Sequence, residues 1–429
     1  MNSKKNILVI GSGGREHAIV KALNRSKWLN KLYALPGNGG INQEAEAVNI
    51  KLNDFFTIAD FCKKNAVDLV VIGPEQPLVE GLTDYLEERG IKVFGPSKIA
   101  SQLEGSKDFM KEIVSRYGIP TAQYKSFTDI NKAKVYVREK GTPIVIKTDG
   151  LAAGKGVTVA MSQEEAHNAI EEAFAGKFGD AGKKIVIEEF LEGEEVSFFI
   201  ISDGKHFIEF GSAQDHKRAF DGDEGPNTGG MGTYSPAPIV TDFVRKKVMD
   251  QIITPTINGL LKDNIPYRGF LFAGLMIDKH GNPKLLEYNI RMGDPETQAI
   301  LSRLETDLVE ILFKATCSKL NEFREIKFSP SYAVCVVMAA KGYPDSYDKG
   351  HFIDLSASTA VANSVVYHAG TEMRDGKLIS NGGRVLGVTG TGVTIQEACN
   401  NAYSCVSAIK FAGGFYRKDI GHRELNRKK

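Results

Sequence analysis

The segment 286–298, with the sequence LEYNIRMGDPETQ, sets the strongest limit on how this chain folds. Its first residues alternate between apolar and polar side chains, which predicts a strand with one buried face and one polar face. Glu287, Asn289 and Arg291 share the polar face. The apolar run Arg268–Ile277 and a polar turn precede this strand, so we expect the two strands to form a β-hairpin.

The polar face of this strand offers groups that suit both a metal ion and a phosphate. The Glu287 carboxylate and the Asn289 amide are oxygen ligands of the kind that Mg²⁺ prefers. The planar guanidinium of Arg291 suits a phosphate or carboxylate, which it can bind with two hydrogen bonds. A solvated edge strand is the alternative. The apolar opposite face and the charged GDPE sequence that follows favour a metal–phosphate site.

Length and composition set the scale of the fold. A chain of 429 residues is too long for one ordinary core, which favours three or four domains. Its formal net charge of +1 gives no reason to expect a nucleic acid or an anionic membrane as partner. The five cysteines lack CxxC spacing, which indicates free thiols in a reducing compartment. No apolar run reaches transmembrane length, and the N-terminus leads directly into a strand pattern, so we expect a cytoplasmic protein.

The first hundred residues alternate short apolar runs with helical patterns, which predicts a small parallel α/β domain. The glycine turn at 11–14 (GSGG) follows the first strand, where amides at a helix start bind phosphate. Glu16 stands where a dinucleotide fingerprint needs its third glycine, and no acidic residue ends the second strand as expected. We therefore predict a mono-phosphate or sugar-phosphate site. A dinucleotide-binding oxidoreductase is the alternative from another functional class.

Residues 144–160 predict two strands joined by a glycine-rich flap. The connecting sequence TDGLAAGKG contains Gly150, Gly154, Lys155 and Gly156, whose amides and ammonium group suit phosphate oxygens. It is not a Walker P-loop, because the GxxxxGK[ST] order is absent and a strand follows. An ordinary hairpin loop explains this composition less well than a phosphate-binding flap does.

Two further segments contain charged residues in patterns that indicate binding sites. Segment 185–199 predicts a strand, a turn at Gly193 and a second strand, and such a hinge can hold a purine by main-chain groups. Glu188 would accept from an exocyclic amine and Glu195 would reach ribose hydroxyls, although acidic loops are more often only solvated. Segment 214–236 has no periodicity and contains both charge signs, so we expect an irregular substrate loop in preference to a linker. From about residue 331, strand patterns and a helix over 394–410 predict a small mixed α/β unit.

Taken in order, GSGGREHA, KTDGLAAGKGV, EEFLEGEEVSFF, QDHKRAFDGDEGPNTGGMGTYSP and EYNIRMGDPETQ closely resemble the phosphoribosylamine–glycine ligases, a family of the ATP-grasp superfamily. The resemblance covers essentially the whole chain. It implies an N-terminal parallel α/β domain at 1–104 and a two-lobed ATP-grasp unit at 105–325, with a nucleotide flap lobe at about 120–192. A small C-terminal mixed α/β domain follows at 326–429. The expected assembly is a monomer or weak dimer.

The resemblance also implies a reaction: ligation of glycine to 5-phosphoribosylamine in de novo purine synthesis, with ATP split to ADP and phosphate through a glycyl phosphate. Arg291 and Asp294 would lie near the reacting groups, and Glu287 and Asn289 would bind Mg²⁺ or Mn²⁺. The residues expected to bind ATP are Lys107, Lys147, Gly154, Lys155, Gly156, Glu188, Phe190, Leu191 and Glu195. Those expected to bind the other substrates are Gly13, Gly14, Arg15, Asp215, Lys217, Asn227 and Gly293.

The chain departs from the family pattern at two places. Met292 stands where the family usually has Phe or Leu, which changes packing without removing a chemical group. Many superfamily members place a carboxylate on the partner strand, and LFAGLMI has none, so a second Mg²⁺ would rely on phosphates and water. Another ATP-grasp ligase acting on a different carboxylate or on bicarbonate is the nearest alternative.

Overall fold

The computed structural model describes residues 3–150 and 156–427 and confirms an α/β fold that begins with a parallel sheet. Five strands pair in the order β3-β2-β1-β4-β5, and every pair is parallel. The strands are β1 (Lys5–Gly11), β2 (Leu29–Pro36), β3 (Glu46–Ala47), β4 (Leu69–Ile72) and β5 (Val93–Phe94). The helices of this region are α1 (Gly14–Asn24), α2 (Ile41–Glu44), α3 (Phe55–Lys64), α4 (Glu75–Glu80), α5 (Leu82–Glu87) and α6 (Gln102–Gly105).

A separate four-stranded antiparallel sheet follows helix α7 (Lys107–Arg116) and has its own small apolar core. Its strands pair in the order β6-β9-β7-β8. They are β6 (Tyr124–Phe127), β7 (Ile144–Thr148), β8 (Val157–Ala160) and β9 (Ile185–Glu189), with helices α8 (Ile130–Lys140) and α9 (Gln163–Glu172). The predicted pair of strands around the flap is therefore confirmed as β7 and β8. Gly154 and Lys155 lie outside the described residues.

A nine-stranded sheet runs through the rest of the chain in the order β16-β15-β10-β11-β14-β17-β21-β18, with β22 paired to β17. Two-stranded ribbons, β12–β13 and β19–β20, lie beside it. The strands are β10 (Glu194–Asp203), β11 (Phe207–Asp215), β12 (Arg218–Phe220), β13 (Glu224–Asn227), β14 (Gly232–Ser235), β15 (Arg268–Ile277), β16 (Pro283–Asn289), β17 (Tyr332–Ala340), β18 (Ser364–His368), β19 (Thr371–Arg374), β20 (Lys377–Ser380), β21 (Arg384–Gly392) and β22 (Gly414–Phe415). The helices are α10 (Asp242–Val248), α11 (Thr254–Lys262), α12 (Glu296–Arg303), α13 (Leu308–Thr316), α14 (Ile395–Ala408) and α15 (His422–Leu425).

The predicted hairpin is confirmed as β15 and β16, which pair antiparallel. Gly274 faces Glu287 and Phe272 faces Asn289 across the ladder, so small or apolar residues stand opposite the two candidate metal ligands. Helix α12 begins at Glu296, directly after the GDP sequence, and packs against helix α1. The hairpin therefore places the GDP turn that follows it at the edge of the N-terminal domain.

The two faces of the N-terminal sheet are both continuous with the rest of the core. Leu8 and Ile10 of strand β1 share one buried cluster with Leu271 and Tyr288. The alternate residues of β1 point to the opposite face and join a second cluster with residues of β10, β15 and α12. This apolar packing on both faces fixes the glycine turn after β1 relative to the hairpin.

The expectation of an irregular substrate loop over 214–236 was wrong in part. The segment contains the ribbon β12–β13, and strand β14 is an internal member of the nine-stranded sheet, paired to β17. Strands of three or four residues are too short to show a hydrophobic period, and glycine removes the side chains that would report one. The partner strand β17 lies about a hundred residues later, so local sequence gives no sign of the pairing.

Candidate nucleotide and substrate site

One cleft of about 750 Å³ separates the four-stranded sheet from the nine-stranded sheet and collects most of the predicted residues. Those that line it are Arg15, Lys107, Lys147, Gly156, Glu188, Phe190, Leu191, Glu195, Asp215, Lys217, Asn227, Glu287, Asn289, Arg291, Gly293 and Asp294. Gly13 and Gly14 lie just beside it, where a Cβ on Gly13 would stand 3.1 Å from Asp294 Oδ2. Residues far apart in sequence thus meet around one cavity large enough for a nucleotide.

The hinge that joins β9 to β10 contributes apolar side chains to the cleft. Phe190 and Leu191 come from the hinge itself. Other apolar side chains that line the cleft include Val145, Val159, Met276 and Leu286. Flat apolar walls next to exposed backbone suit a purine ring, which needs stacking surface and a few hydrogen bonds at its edge.

Positive charge is concentrated around Glu287, which lines the same cleft. Burial alone would raise the pKa of this carboxyl, but Lys107, Lys217, Lys147 and then Arg291 lower the pKa of Glu287 to about 2. The group is therefore ionised at neutral pH. These four cations are placed to contact the phosphates of a nucleotide.

Glu287 and Asn289 fit a metal ion that takes few protein ligands. Within residues 3–150 and 156–427 no cluster of three or more acidic, histidine or cysteine side chains could hold a metal. Both side chains line the cleft, and Glu287 carries a full charge. Mg²⁺ is commonly held by one or two carboxylate or amide oxygens and completes its shell with water and phosphate oxygens. This donor set fits such an ion.

Glu188 lines the cleft, and its carboxylate forms two ion pairs. Its carboxylate is almost fully buried, with Oε2 lying 2.8 Å from Lys147 Nζ and Oε1 lying 3.0 Å from Lys111 Nζ. Lys147 also donates a hydrogen bond of 3.1 Å to the carbonyl oxygen of Leu286. Strand β9 directs this side chain toward two ammonium groups, and its contact with an exocyclic amine of a purine stays a prediction. The Glu195 carboxylate likewise forms an ion pair, with Lys217.

Arg291 is held by two carboxylates that sequence reasoning did not identify. Its Nε lies 3.2 Å from Glu75 Oε2 and its Nη2 lies 3.0 Å from Glu104 Oε1. Burial opposes the charge of Arg291, but Glu104 and Glu75 raise its pKa further above the usual range. Glu75 lies on helix α4 and Glu104 on helix α6, so only the tertiary fold brings both carboxylates to this arginine.

The turn at residues 293–295 meets the glycine turn of the first domain. The backbone N–H of Arg15 donates to Asp294 Oδ2 at 3.3 Å, and Arg15 Nη1 donates to the carbonyl of Met292 at 3.2 Å. Burial would raise the pKa of Asp294, but Arg384 and Arg15 lower it below its ordinary value. Arg15 and Asp294 are therefore parts of a single site, although they lie far apart in the sequence.

Glu16 explains why the glycine turn departs from a dinucleotide site. Its carboxylate accepts a 2.6 Å hydrogen bond from the Gly13 N–H and another from Arg15 Nε. A Cβ on Gly11 would stand 2.4 Å from this side chain, and one on Gly73 would stand 2.1 Å from it. Glu16 thus fills the space above the turn where a dinucleotide pyrophosphate would lie.

Two more residues converge on the cleft without a sequence prediction. Glu296 accepts a 2.9 Å hydrogen bond from Ser197, and burial raises the pKa of Glu296. Burial and the nearby Glu296 together raise the pKa of Asp215. Arg384 donates to the carbonyls of Gly229, Gly230 and Asp294. The sequence feature that could have identified Arg384 is its position directly after two glycines in GGRVLG, within a segment that resembles the family.

The C-terminal segment holds the ribbon β12–β13 against the cleft. Arg417 has a fully buried side chain and forms 2.8 Å ion pairs with Asp223 and Asp419. His216 Nδ1 lies 3.0 Å from the carbonyl of Gly232, and its Nε2 accepts from the N–H of Gly421 at 3.3 Å. These partners fix the neutral tautomer of His216, and burial, with nearby arginines, lowers its pKa to about 3.

Two lobes that enclose a cationic cleft, with a flap hairpin on one side and a carboxylate–amide strand on the other, define the ATP-grasp class of nucleotide-dependent enzymes. Within that class the chain belongs to the phosphoribosylglycinamide synthetase family. The N-domain model of this family matches residues 5–104, the ATP-grasp (A) domain model matches 105–297 and the C-domain model matches 333–423.

Individual relatives agree over the full length. A phosphoribosylamine–glycine ligase of Rhizobium meliloti is 52% identical over 421 residues, which cover 98% of this chain and 99% of the relative. The crystal structure of phosphoribosylamine–glycine ligase from Thermotoga maritima has a TM-score of 0.85 at 34% identity and covers 97% of this chain and 100% of its own. A biotin carboxylase from Campylobacter jejuni has a TM-score of 0.76 at 16% identity, covering 99% and 95%, and shows the fold alone. No helix among the described residues is long and apolar enough to cross a membrane.

Proposed function

We propose that this chain joins glycine to 5-phosphoribosylamine and forms glycinamide ribonucleotide, ADP and phosphate in de novo purine synthesis. The supporting relatives carry the name phosphoribosylamine–glycine ligase at about half identity over the whole chain. The structural observation that carries the proposal is the meeting of Arg15 and Asp294 at the end of the same cleft in which Lys107, Lys147 and Arg291 surround Glu287. A sugar phosphate and a nucleotide can therefore bind side by side.

The nucleotide occupies the part of the cleft between the hinge and the lysines. The purine lies against Phe190 and Leu191, and the ribose hydroxyls face Glu195. Lys107 and Lys147 bind the phosphates, and we assign Gly154, Lys155 and Gly156 to the same phosphates from the family pattern. Glu287 and Asn289 would hold Mg²⁺ or Mn²⁺, which supplies charge neutralisation for the phosphate oxygens when bound.

The other two substrates occupy the end of the cleft near the glycine turn. Gly13, Gly14 and Arg15 bind the phosphoribosyl part, as the family pattern implies, and the Arg15 guanidinium, which lines the cleft, supplies positive charge for the phosphate. The ribbon and the neighbouring turn supply the remaining contacts to glycine and the ribosylamine. These are Asp215, Lys217, Asn227 and Gly293.

The chemistry proceeds in two transfers. A carboxylate oxygen of glycine attacks the γ-phosphorus of ATP, the bond to the β-phosphate oxygen breaks, and ADP leaves glycyl phosphate behind. The amine nitrogen of phosphoribosylamine then attacks the acyl carbon, loses a proton and expels inorganic phosphate. Arg291, fixed by Glu75 and Glu104, stabilises the negative charge that develops on the transferred phosphoryl group. Asp294 orients the amine substrate through its contact with the Arg15 turn.

The flap has a defined purpose in this sequence. An acyl phosphate hydrolyses readily, so water must be kept from the cleft between the two transfers. The three parts then have distinct tasks: residues 1–104 bind the sugar phosphate, 105–325 bind ATP with the flap lobe at about 120–192, and 326–429 brace the substrate ribbon. We assign the enzyme to the cytoplasm, as a monomer or weak dimer, in keeping with its free cysteines.

A substrate-omission assay tests the proposal. ADP release should require glycine and phosphoribosylamine together, and mass spectrometry should identify glycinamide ribonucleotide as the product. Bicarbonate in place of glycine serves as the control for a carboxylating ATP-grasp enzyme. ADP release that depends on bicarbonate, or that ignores phosphoribosylamine, would exclude the proposed reaction.

A further inference from the structure

Lys111 is a fully buried lysine on helix α7 that none of the assignments above uses. Its ammonium donates a 2.9 Å hydrogen bond to Thr121 Oγ1 and lies 3.0 Å from Glu188 Oε1. The other oxygen of Glu188 lies 2.8 Å from Lys147 Nζ. Lys111, Glu188 and Lys147 thus form a buried row of charges, which we term the lysine–glutamate–lysine row. Only its last two members line the cleft.

We propose that Lys111 and Glu188 are positioning residues that hold the Lys147 ammonium at the nucleotide phosphates and maintain the net positive charge there. The proposal rests on the assignment of Lys147 to the phosphates. It gives the Glu188 side chain a role different from binding the purine, and it gives a function to a lysine that touches no substrate.

The geometry of the row supports this assignment. Glu188 and the carbonyl of Leu286 fix Lys147 from two elements, strand β9 and strand β16, which belong to opposite sides of the cleft. A flexible lysine held in this way loses little conformational freedom when phosphate binds. Lys111 extends the row to helix α7, whose first residue is Lys107.

The charge count explains why a second lysine is needed. Burial alone would raise the pKa of Glu188, but Lys147 and Lys111 lower it, so the carboxylate is ionised. Burial lowers the pKa of Lys111, and the ion pair with Glu188 opposes that shift. With both lysines protonated, two ammonium groups and one carboxylate leave one net positive charge. With Lys111 removed, Glu188 would neutralise Lys147 alone, and the row would present no net charge to an incoming phosphate.

Four variants test the row. Lys111→Met removes the outer cation, and Glu188→Gln removes the anion while keeping an amide oxygen that can accept from Lys147. The double variant restores one net positive charge, on Lys147. Arg116→Met is the matched control, because Arg116 lies on the same helix in an exposed ion pair with Asp263. Binding of ADP and of adenosine to each purified protein is measured by calorimetry, with the melting temperature recorded beside it.

We expect Lys111→Met to weaken ADP binding by roughly tenfold to a hundredfold, as for loss of a charge-assisted contact. Adenosine, which lacks phosphates, should bind within about threefold of wild type to every variant, Glu188→Gln included. The double variant should recover ADP affinity to within about threefold, because removal of the Glu188 charge restores the one net positive charge that Lys111→Met takes away. Arg116→Met should change neither ligand.

Three results would overturn the proposal. A double variant that binds ADP as weakly as Lys111→Met, or more weakly, would show that charge balance is not the cause. Weaker adenosine binding to Glu188→Gln would return this side chain to the purine. Normal ADP affinity in Lys111→Met, with only a lower melting temperature, would make Lys111 structural. Since every readout is nucleotide binding, the test stands even if the chain proves not to ligate glycine.

Discussion

Replacing Glu287 by Gln removes the one charged ligand proposed for the metal ion while keeping the size and shape of the side chain. The carboxylate is surrounded by Lys107, Lys147, Lys217 and Arg291, and no metal is needed to keep it ionised. The substitution therefore separates two effects: loss of a metal ligand and loss of an anion among four cations. Loss of the metal ligand affects turnover. Loss of the anion affects stability and anion binding in the absence of metal.

The lowered pKa of Glu287 gives the size of the effect on stability. A carboxyl held at a pKa of about 2, against an ordinary 4.5, is stabilised in its charged form by about 3 kcal/mol. Glu287→Gln should therefore lower the free energy of unfolding in EDTA by about 3 kcal/mol or less. The same change removes a negative charge beside the phosphates, so ADP binding in EDTA should be unchanged or tighter.

With metal present, the loss of the metal ligand should dominate. Loss of a charged ligand from a site that stabilises transferring phosphate should lower turnover by roughly a hundredfold or more. The assay is ADP release against Mg²⁺ concentration, with ADP binding measured in EDTA. Glu87→Gln is the control, since that carboxylate pairs with Arg268 outside the cleft. Near-normal turnover of folded Glu287→Gln at limiting Mg²⁺ would refute the reasoning.

Three further predictions concern the other parts of the site. Arg15→Ala should raise the Michaelis constant for phosphoribosylamine roughly ten- to a hundredfold with that for ATP unchanged, and the reverse pattern would place the nucleotide at the glycine turn. Gly156→Val should weaken ATP binding with little change in melting temperature, because a side chain would obstruct the approach to phosphate; a large stability loss with normal affinity would contradict it. Neutral His216 is favoured by folding, with a pKa of about 3 against 6.5 when unfolded, so its contribution is complete above pH 6.5 and declines as pH falls toward 3. Between pH 7.5 and 5.5 the free energy of unfolding should fall by about 1 kcal/mol more in wild type than in His216→Gln, and equal slopes would exclude this role.

Much of the fold follows from local sequence. Strands β1, β7, β8, β15 and β16 each have a clear apolar or alternating pattern, and helix α7 has Ser106 as its N-cap, whose side chain accepts from the N–H of Phe109. The strand β14 and the ribbon β12–β13 could not be predicted in this way, because strands of three or four residues are too short to show a hydrophobic period. Their positions are set by β17 and by the buried arginine Arg417, both distant in sequence.

The site was predictable to the level of the cleft but not of the contacts within it. The chemistry of Glu287, Asn289 and Arg291 could be read from one strand, because alternation places them on one face. The partners of Glu188 could not, since Lys111 lies on another element and carries no motif. Arg384 was likewise hidden, because its role depends on backbone carbonyls that only the folded chain brings within reach.

Transfer of oxygen from glycine to phosphate tests the central reaction most directly. With glycine labelled by ¹⁸O in its carboxylate, the glycyl phosphate route requires that one labelled oxygen leave with inorganic phosphate for each glycinamide ribonucleotide formed. The measurement is mass spectrometry of the phosphate and of the amide product from the same reaction. We predict one ¹⁸O atom in phosphate and one in the new amide. Unlabelled phosphate accompanying product, or ADP released without product, would contradict the account.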